Sequence, residues 1–193
     1  MDVYDQQISK FVSSGLGRVM VNAGRGRSCG TEIGLRGGWL DNRLTWHASY
    51  GFTHSVFKRY EAQEARTETA QEAGNYDGNH VPFVPMHTLA AGVEYEQALE
   101  HRKIKSYFFG VNTTGAGKIY WSEDNAYHQP FYALLNAHAG LDFGSVRIDI
   151  WGKNLTDTDY DAFFFTSAAT TRNMKFGQRG NPLQFGVDVS LHF

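Results

Sequence analysis

The chain has 193 residues and a formal net charge of −2, with 41% hydrophobic residues, 15% aromatics and 21 glycines against 4 prolines. That length supports one ordinary domain, and a near-neutral charge without a dense basic patch excludes nucleic acid as a partner. A single cysteine, Cys29, excludes a disulfide framework and a thiolate metal site, and reads as a small structural residue.

Rich in aromatics and glycine yet not greasy, the composition suits strands with one apolar face better than a helical bundle. No run of ~18 apolar residues exists to form a transmembrane helix. The opening MDVYDQQISK lacks the apolar core of a signal peptide. Period-2 alternation predicts eight strands, at about 3–12, 19–40, 43–60, 86–99, 103–121, 131–143, 146–165 and 183–193. In the second, Thr31, Ile33, Leu35 and Trp39 oppose Glu32, Gly34, Arg36 and Gly38. In the third, Leu44, Trp46, Ala48, Tyr50 and Phe52 oppose Thr45, His47, Ser49 and Gly51. The fourth sets Leu89, Ala91, Val93 and Tyr95 against Ala90, Gly92, Glu94 and Glu96. The sixth sets Phe131, Ala133, Leu135, Ala137, Ala139, Leu141 and Phe143 against Tyr132, Leu134, Asn136, His138, Gly140 and Asp142, and VRIDI opens the seventh with Arg147 and Asp149 on the polar side. The last strand, LQFGVDVSLHF, alternates without a break to Phe193.

Short polar turns are expected at Asp41–Arg43, around Glu100–Arg102 and at Gly144–Ser145, and long loops near 61–85, 122–130 and 166–182. This is an all-β, antiparallel up-and-down meander whose two ends differ. Several of its strands have the ~9–11 residues that cross a bilayer at a tilt, as in an outer-membrane β-barrel. Trp39, Tyr95, Phe143 and Phe193 lie by the short turns, and Tyr60 and Trp121 toward the long loops, where interfacial girdles belong. A soluble barrel or sandwich, with the apolar face turned into a core, stands as the alternative. The polar face carries Glu32, Arg36, Glu94, Glu96, Asp142, Arg147, Asp149 and Asp188. Ionised groups need partners or water, so this set points to a wide, wet lumen and argues against a cavity for an apolar ligand.

Five stretches carry a family resemblance: YDQQISKFV (Tyr4–Val12), NAGRGRSCGTEIGLRG (Asn22–Gly37), YDGNHVPFVPMHTLAAGVEYE (Tyr76–Glu96), WGKNLTDTDYDAF (Trp151–Phe163) and the closing GNPLQFGVDVSLHF. In order and over the whole chain, they resemble the C-terminal barrel portion of TonB-dependent outer-membrane receptors. The resemblance implies that residues 1–193 are a segment of such a barrel, without the plug domain or TonB box and with only about eight of the family's ~22 strands. It implies uptake of a siderophore, haem, cobalamin or glycan-type ligand at the cell outer membrane. The implied partners are outer-membrane lipid, the receptor's own missing plug and N-terminal strands, and, through that missing part alone, the TonB system. The last strand's Val189, Leu191 and Phe193 resemble the signal read by the barrel-assembly machinery. Where many members have Gly-x-Pro-Arg, this chain has Gly180-Asn181-Pro182-Leu183, so no role of that Arg carries over.

Candidate ligand contacts in the long loops are Tyr76, His80, Tyr127, His128 and the run Phe163-Phe164-Phe165. His80, His87 and His128 lack metal-ligand spacing, so no metal or other cofactor is expected. Asp157, Asp159 and Asp161 begin like a calcium loop but lack its Gly and terminal Glu. No nucleophile elbow, HExxH or phosphate loop appears, so an enzyme is not expected. A self-contained eight-stranded outer-membrane protein with a structural or adhesive role is the further alternative.

Overall fold

The computed structural model describes residues 4–14, 17–60, 75–100, 103–167 and 174–192. The strands are β1 (Tyr4–Ser14), β2 (Gly17–Trp39), β3 (Leu44–Tyr60), β4 (His87–Ala98), β5 (Ser106–Gly117), β6 (Ile119–Tyr120), β7 (His128–Gln129), β8 (Tyr132–Asp142), β9 (Val146–Lys153), β10 (Asp161–Ser167), β11 (Met174–Arg179) and β12 (Gln184–Leu191). Eight of them form one antiparallel sheet in the order β1-β2-β3-β4-β5-β8-β9-β12, the meander expected from the sequence. The small ladders β6–β7 and β10–β11 stand outside it. The sheet does not close, because β1 and β12 are its two edges.

The short turns have the chemistry their geometry demands. Leu40, Asp41 and Asn42 all take positive φ (55°, 56° and 64°), and Arg43 N–H donates back to the Leu40 carbonyl at 3.1 Å. Asn and Asp tolerate this region better than most residues. Gly144, with φ 89°, leads the two-residue turn between β8 and β9, and Phe143 N–H closes it on the Val146 carbonyl. A glycine in first position is what a II′-type hairpin requires.

The expected seventh strand, 146–165, is divided. β9 stops at Lys153 and the chain leaves the sheet at Asn154, which is only 3% exposed and sits at φ 49°. Its side-chain amide donates to the Thr158 and Asn181 carbonyls at 3.1 and 3.0 Å, while its Oδ1 accepts the Thr158 N–H at 2.9 Å. Its own N–H donates to Asn136 Oδ1. Asp157, also at positive φ, accepts the Leu183 N–H at 3.0 Å. The Asn-Leu-Thr-Asp segment is therefore a knot that turns the chain out of β9 and ties it to the start of β12. Asn154→Ala strands several buried backbone groups and is expected to cost about 2 kcal/mol. Asn154→Gly keeps the backbone conformation yet loses the same hydrogen bonds, so comparable urea midpoints for the two variants would assign the cost to the side chain.

Register sorts the sheet's two faces. Rows such as Leu35–Ala48–Ala91–Thr113–Leu135 and Trp39–Leu44–Tyr95–Phe109–Ala139–Ile150–Val187 make one face almost wholly apolar. That face is bare: Leu35, Trp39, Ile150, Phe185, Val187 and Val189 are all exposed. Among the described residues the buried hydrophobics are Phe57, Tyr60, Phe108 and Trp121, and none sits mid-way along the apolar face. A soluble sandwich would cover this face with a second layer, and no such layer is present among the described residues. Leu44 to Phe52 spans ~26 Å along β3, or ~20 Å along the normal at a tilt of ~40°, most of the ~25 Å apolar band of an outer-membrane barrel.

Aromatics border the band at both ends. Trp39 lies 6.1 Å from Trp46, and Tyr95 sits between Tyr107 and Phe109 at 6.0 and 5.2 Å, beside the short turns. At the other border Tyr50 and Phe52 pack on His87, whose Nδ1 meets the Tyr50 hydroxyl at 2.7 Å. Tyr60 and Trp121, expected in that second girdle, are instead buried at 7% and 8% exposure among loop side chains. Both sit beyond the band, where the loops fold back and cover them. Phe193 lies outside the described residues; Val189 and Leu191 point from β12 onto the apolar face.

Candidate functional site

Register puts all eight charged residues on the polar face, six of them (Glu94, Glu96, Asp142, Arg147, Asp149 and Asp188) grouped toward the short-turn end of β4, β8, β9 and β12. A connected group runs across β4, β8 and β9. His138 Nε2 meets Glu94 Oε2 at 2.9 Å, and its Nδ1 faces Asp149 Oδ2 at 3.3 Å. Trp151 Nε1–H donates to Asp188 Oδ2 at 2.9 Å. The Ser106 hydroxyl donates to Glu96, Asn136 to Asn112, and Arg147 lies over the Phe108 ring at 3.8 Å and within 3.9 Å of Asp142. Glu32 and Arg36 lie exposed further along β2. Among the described residues only Arg147 and Asp142 pair as opposite charges in this group; the other carboxylates meet His138, Ser106 or Trp151, and Asp149 Oδ1 is buried without a partner.

Glycines give this face its shape. A Cβ on Gly92 would stand 2.5 Å from His47, on Gly110 2.1 Å from the Glu94 carboxylate, and on Gly186 2.2 Å from Trp151. Each long side chain lies flat across a glycine on the next strand, an approach only a residue without Cβ permits.

At the long-loop end, three segments clasp one another. The loop from Asn75 to Met86 runs back beside β3, with Asn79 O accepting the Phe57 N–H and Val81 N–H donating to Ser55 O. The Asn79 side chain reaches the Glu123 carbonyl at 2.8 Å. Asn125, at φ 55°, accepts the His80 N–H and returns its own amide to the His80 carbonyl. Gln129, buried, accepts the Asp161 N–H at 2.8 Å, which brings in the third segment. The Gly78-Asn79 motif is thus a joint between loops.

The candidate ligand contacts fall within this assembly. Tyr76 packs on Tyr60 in the small core with Phe57. His80 stacks on Tyr120 at 5.0 Å and meets His54 edge-on, while His128 lies 5.6 Å from Tyr120 at a tilt. Tyr127 packs against Phe164 at 5.2 Å. Phe163 stacks on Phe83 at 5.8 Å, with Trp121 behind both. Phe165 pairs through its backbone with Phe176, and its side chain lies outside the described residues. Phe83, 52% exposed and at φ 65°, was not singled out in the sequence, where it reads as one more loop apolar between two prolines.

A cleft of about 450 Å³ lies between residues 129–133 and 158–161. Tyr132 and Tyr160 stack at 4.4 Å on its wall, and Arg179 pairs with Asp159 at 3.1 Å and Asp161 at 3.7 Å. The three aspartates of TDTDYDAF therefore have other partners, Asp157 turning to Leu183. Among the described residues no His, Cys, Asp and Glu grouping could hold a metal ion. The sequence carried the cleft's signal in Tyr160 between two acids, but its tyrosine partner is 28 residues away.

Burial holds the His80 imidazole below its ordinary pKa of 6.5, and the nearby His54 and Lys118 push the same way. A base depressed in the folded state stabilises fully above its unfolded pKa, and that stability drains away as pH falls through ~6.5 toward the folded value. Backbone amides of 75–86 and 118–129 are thus expected to exchange faster at pH 5 than at pH 7.5 after correction for intrinsic rates. His80→Phe keeps the stack and is expected to abolish the difference; a difference that persists would move its origin elsewhere.

The family model for the TonB dependent receptor-like β-barrel matches residues 1–155. Solved structures share the fold. The ferric yersiniabactin uptake receptor FyuA from Yersinia pestis has TM-score 0.72 at 20% identity, over 91% of this chain and 25% of that one. The siderophore receptor PiuA from Acinetobacter baumannii has TM-score 0.67 at 18% identity, over 97% and 24%. BauA, the ferric preacinetobactin receptor from Acinetobacter baumannii, has TM-score 0.62 at 14% identity, over 97% and 26%. The chain spans about a quarter of the length of each. The family is one of transporters and receptors of the outer membrane and not an enzyme class. With its meander, bare apolar band and charged polar face, the chain belongs to the TonB-dependent receptor β-barrel family.

Proposed function

We propose that this chain is the C-terminal part of the barrel of an outer-membrane receptor that takes up a ferric siderophore. The carrying observation is the loop assembly, in which three segments lock together and leave the stacked Phe83–Phe163 pair exposed at its surface. A rigid, aromatic-rich surface on a barrel rim suits a planar, partly apolar ligand. The likeness to three siderophore receptors supports that ligand class over haem, cobalamin or glycan. On this reading the charged inner face, from Glu32 to Asp188, lines the lumen and meets the plug, which together with the TonB-contacting segment belongs to the rest of the receptor. The open edges of β1 and β12 support that reading, since unpaired backbone in hydrocarbon costs several kcal/mol per group. The barrel-assembly machinery reads the final strand through Val189, Leu191 and Phe193.

The test is uptake of radiolabelled ferric siderophores, haem and cobalamin by iron-starved source cells, with the gene intact, deleted, or carrying Phe163→Ala. Deletion is expected to abolish uptake of one ferric siderophore and spare the other two ligands, and Phe163→Ala to weaken it about tenfold, the worth of an aromatic contact of ~1.4 kcal/mol. Loss of haem or cobalamin uptake alone would overturn the ligand class. A native product in the outer membrane at only 21.7 kDa would overturn the assignment to a larger receptor.

A further inference from the structure

A furrow runs along β8 on the apolar face, at the end nearer the short turns. Tyr107 and Phe109 of β5 form one bank, Ile148 and Ile150 of β9 the other, and Ala139 with Leu141 the floor. Its volume is about 360 Å³. Register explains the depression: Phe109, Ala139 and Ile150 share one row, so a methyl group stands between two large side chains that are 48% and 59% exposed. The next row repeats the step with Ala137 and Gly152 beyond Val111.

Charge lies at one mouth only. Strand alternation puts Lys105 on the same face as Tyr107 and Phe109, one step past the end of β5, exposed and beside Gly144. Arg43, at the same border, is held by Gln97 and Asp41. Lys105 has no ion pair among the described residues. An apolar furrow of limited width that ends at an unpaired ammonium matches an amphiphile with one hydrocarbon chain to lay down and one anion to pair.

We propose that the furrow holds an acyl chain of an anionic phospholipid of the leaflet on the short-turn side, with its phosphate anchored by Lys105. The site rests on the outer-membrane reading given above but not on the ligand that is transported. Ala139 is what makes room for the chain, and Lys105 is what selects the headgroup.

The experiment is native mass spectrometry of the intact receptor, released from mild detergent after incubation with equimolar phosphatidylglycerol and phosphatidylcholine of identical acyl chains. Phosphatidylglycerol adducts are expected to exceed phosphatidylcholine adducts about fivefold, the worth of one lysine at a lipid surface. Lys105→Gln is expected to level the two, and Ala139→Leu, which fills the furrow and keeps the face apolar, to reduce both. Heat-modifiable gel mobility reports that each variant is folded, and Ala139→Val serves if the leucine variant is not. Equal adducts in the unaltered receptor, or a preference that survives Lys105→Gln, would overturn the site. Absence of the receptor from the outer-membrane fraction would instead sink the reading beneath it.

Discussion

Val111→Arg is expected to destabilise the inserted barrel by about 1–3 kcal/mol, between the cost of arginine near an interface and at the bilayer midplane. Val111 lies between the two aromatic borders, flanked by Val93 and Ala137 in its row, and 45% of it is exposed. No protein layer covers it, so a guanidinium there meets hydrocarbon. Thr114→Arg supplies the control, because Thr114 lies on the same strand, ~10 Å further along and still within the band, but on the polar face, opposite Ala90 and Leu134. Urea midpoints in bilayers and the yield of carbonate-resistant protein should fall for the first variant and change little for the second. Equal effects would refute the assignment of the two faces.

Gly140→Ala should cost about 3 kcal/mol, at the upper end for overpacking, whereas Gly34→Ala should be close to neutral. Both glycines are on the polar face. A Cβ at Gly140 would fall 2.2 Å from the Ile148 carbonyl oxygen and 2.3 Å from the Phe108 ring, while nothing lies within 4 Å of one at Gly34. The ring can swing away, but the carbonyl belongs to the β8–β9 ladder, so the strands must part. The loss should appear as faster exchange of the β8 and β9 amides, centred on the Gly140–Asp149 pair. A neutral Gly140→Ala would mean that the ladder gives by several tenths of an ångström at no cost.

Much of this fold was legible because period-2 alternation reports which face of a strand is apolar, and here one face stays mostly apolar along the long strands, although Phe108, Tyr132 and Leu134 fall on the polar one. The ends of β2, β3 and β4 follow the expected bounds closely for that reason. The expected strand fails at 154–160, where Thr156 and Thr158 alternate with Asp157 and Asp159 as a strand's two sides could, although the backbone has turned away. What ends β9 is the buried amide of Asn154, whose partners Thr158 and Asn181 are set by tertiary placement. β11 was hidden for a related reason, since Met174–Arg179 carries too few apolar residues to read as a strand and pairs only with β10.

The loop end was legible as composition but not as geometry. Aromatics and histidines in loops invite a binding role, yet His80 is spent on a stack with Tyr120, and Tyr76 on the core around Phe57. The exposed pair combines Phe163, which the sequence marks by its Phe run, with Phe83, 80 positions earlier in the chain. Loop-to-loop pairing has no period, so no local reading reaches it.

The glycines beneath His47, Glu94, Phe108 and Trp151 carry a consequence for the clearance of a closed barrel. With the polar face turned to the lumen, as proposed, side chains that recline along the wall take up circumference instead of radius, so the bore is decided by the strand next to each bulky residue and not by the bulky residue itself. Exchanging one of these glycines for alanine would tip its neighbour inward and constrict the conduit with no change in the charge or chemistry of its lining.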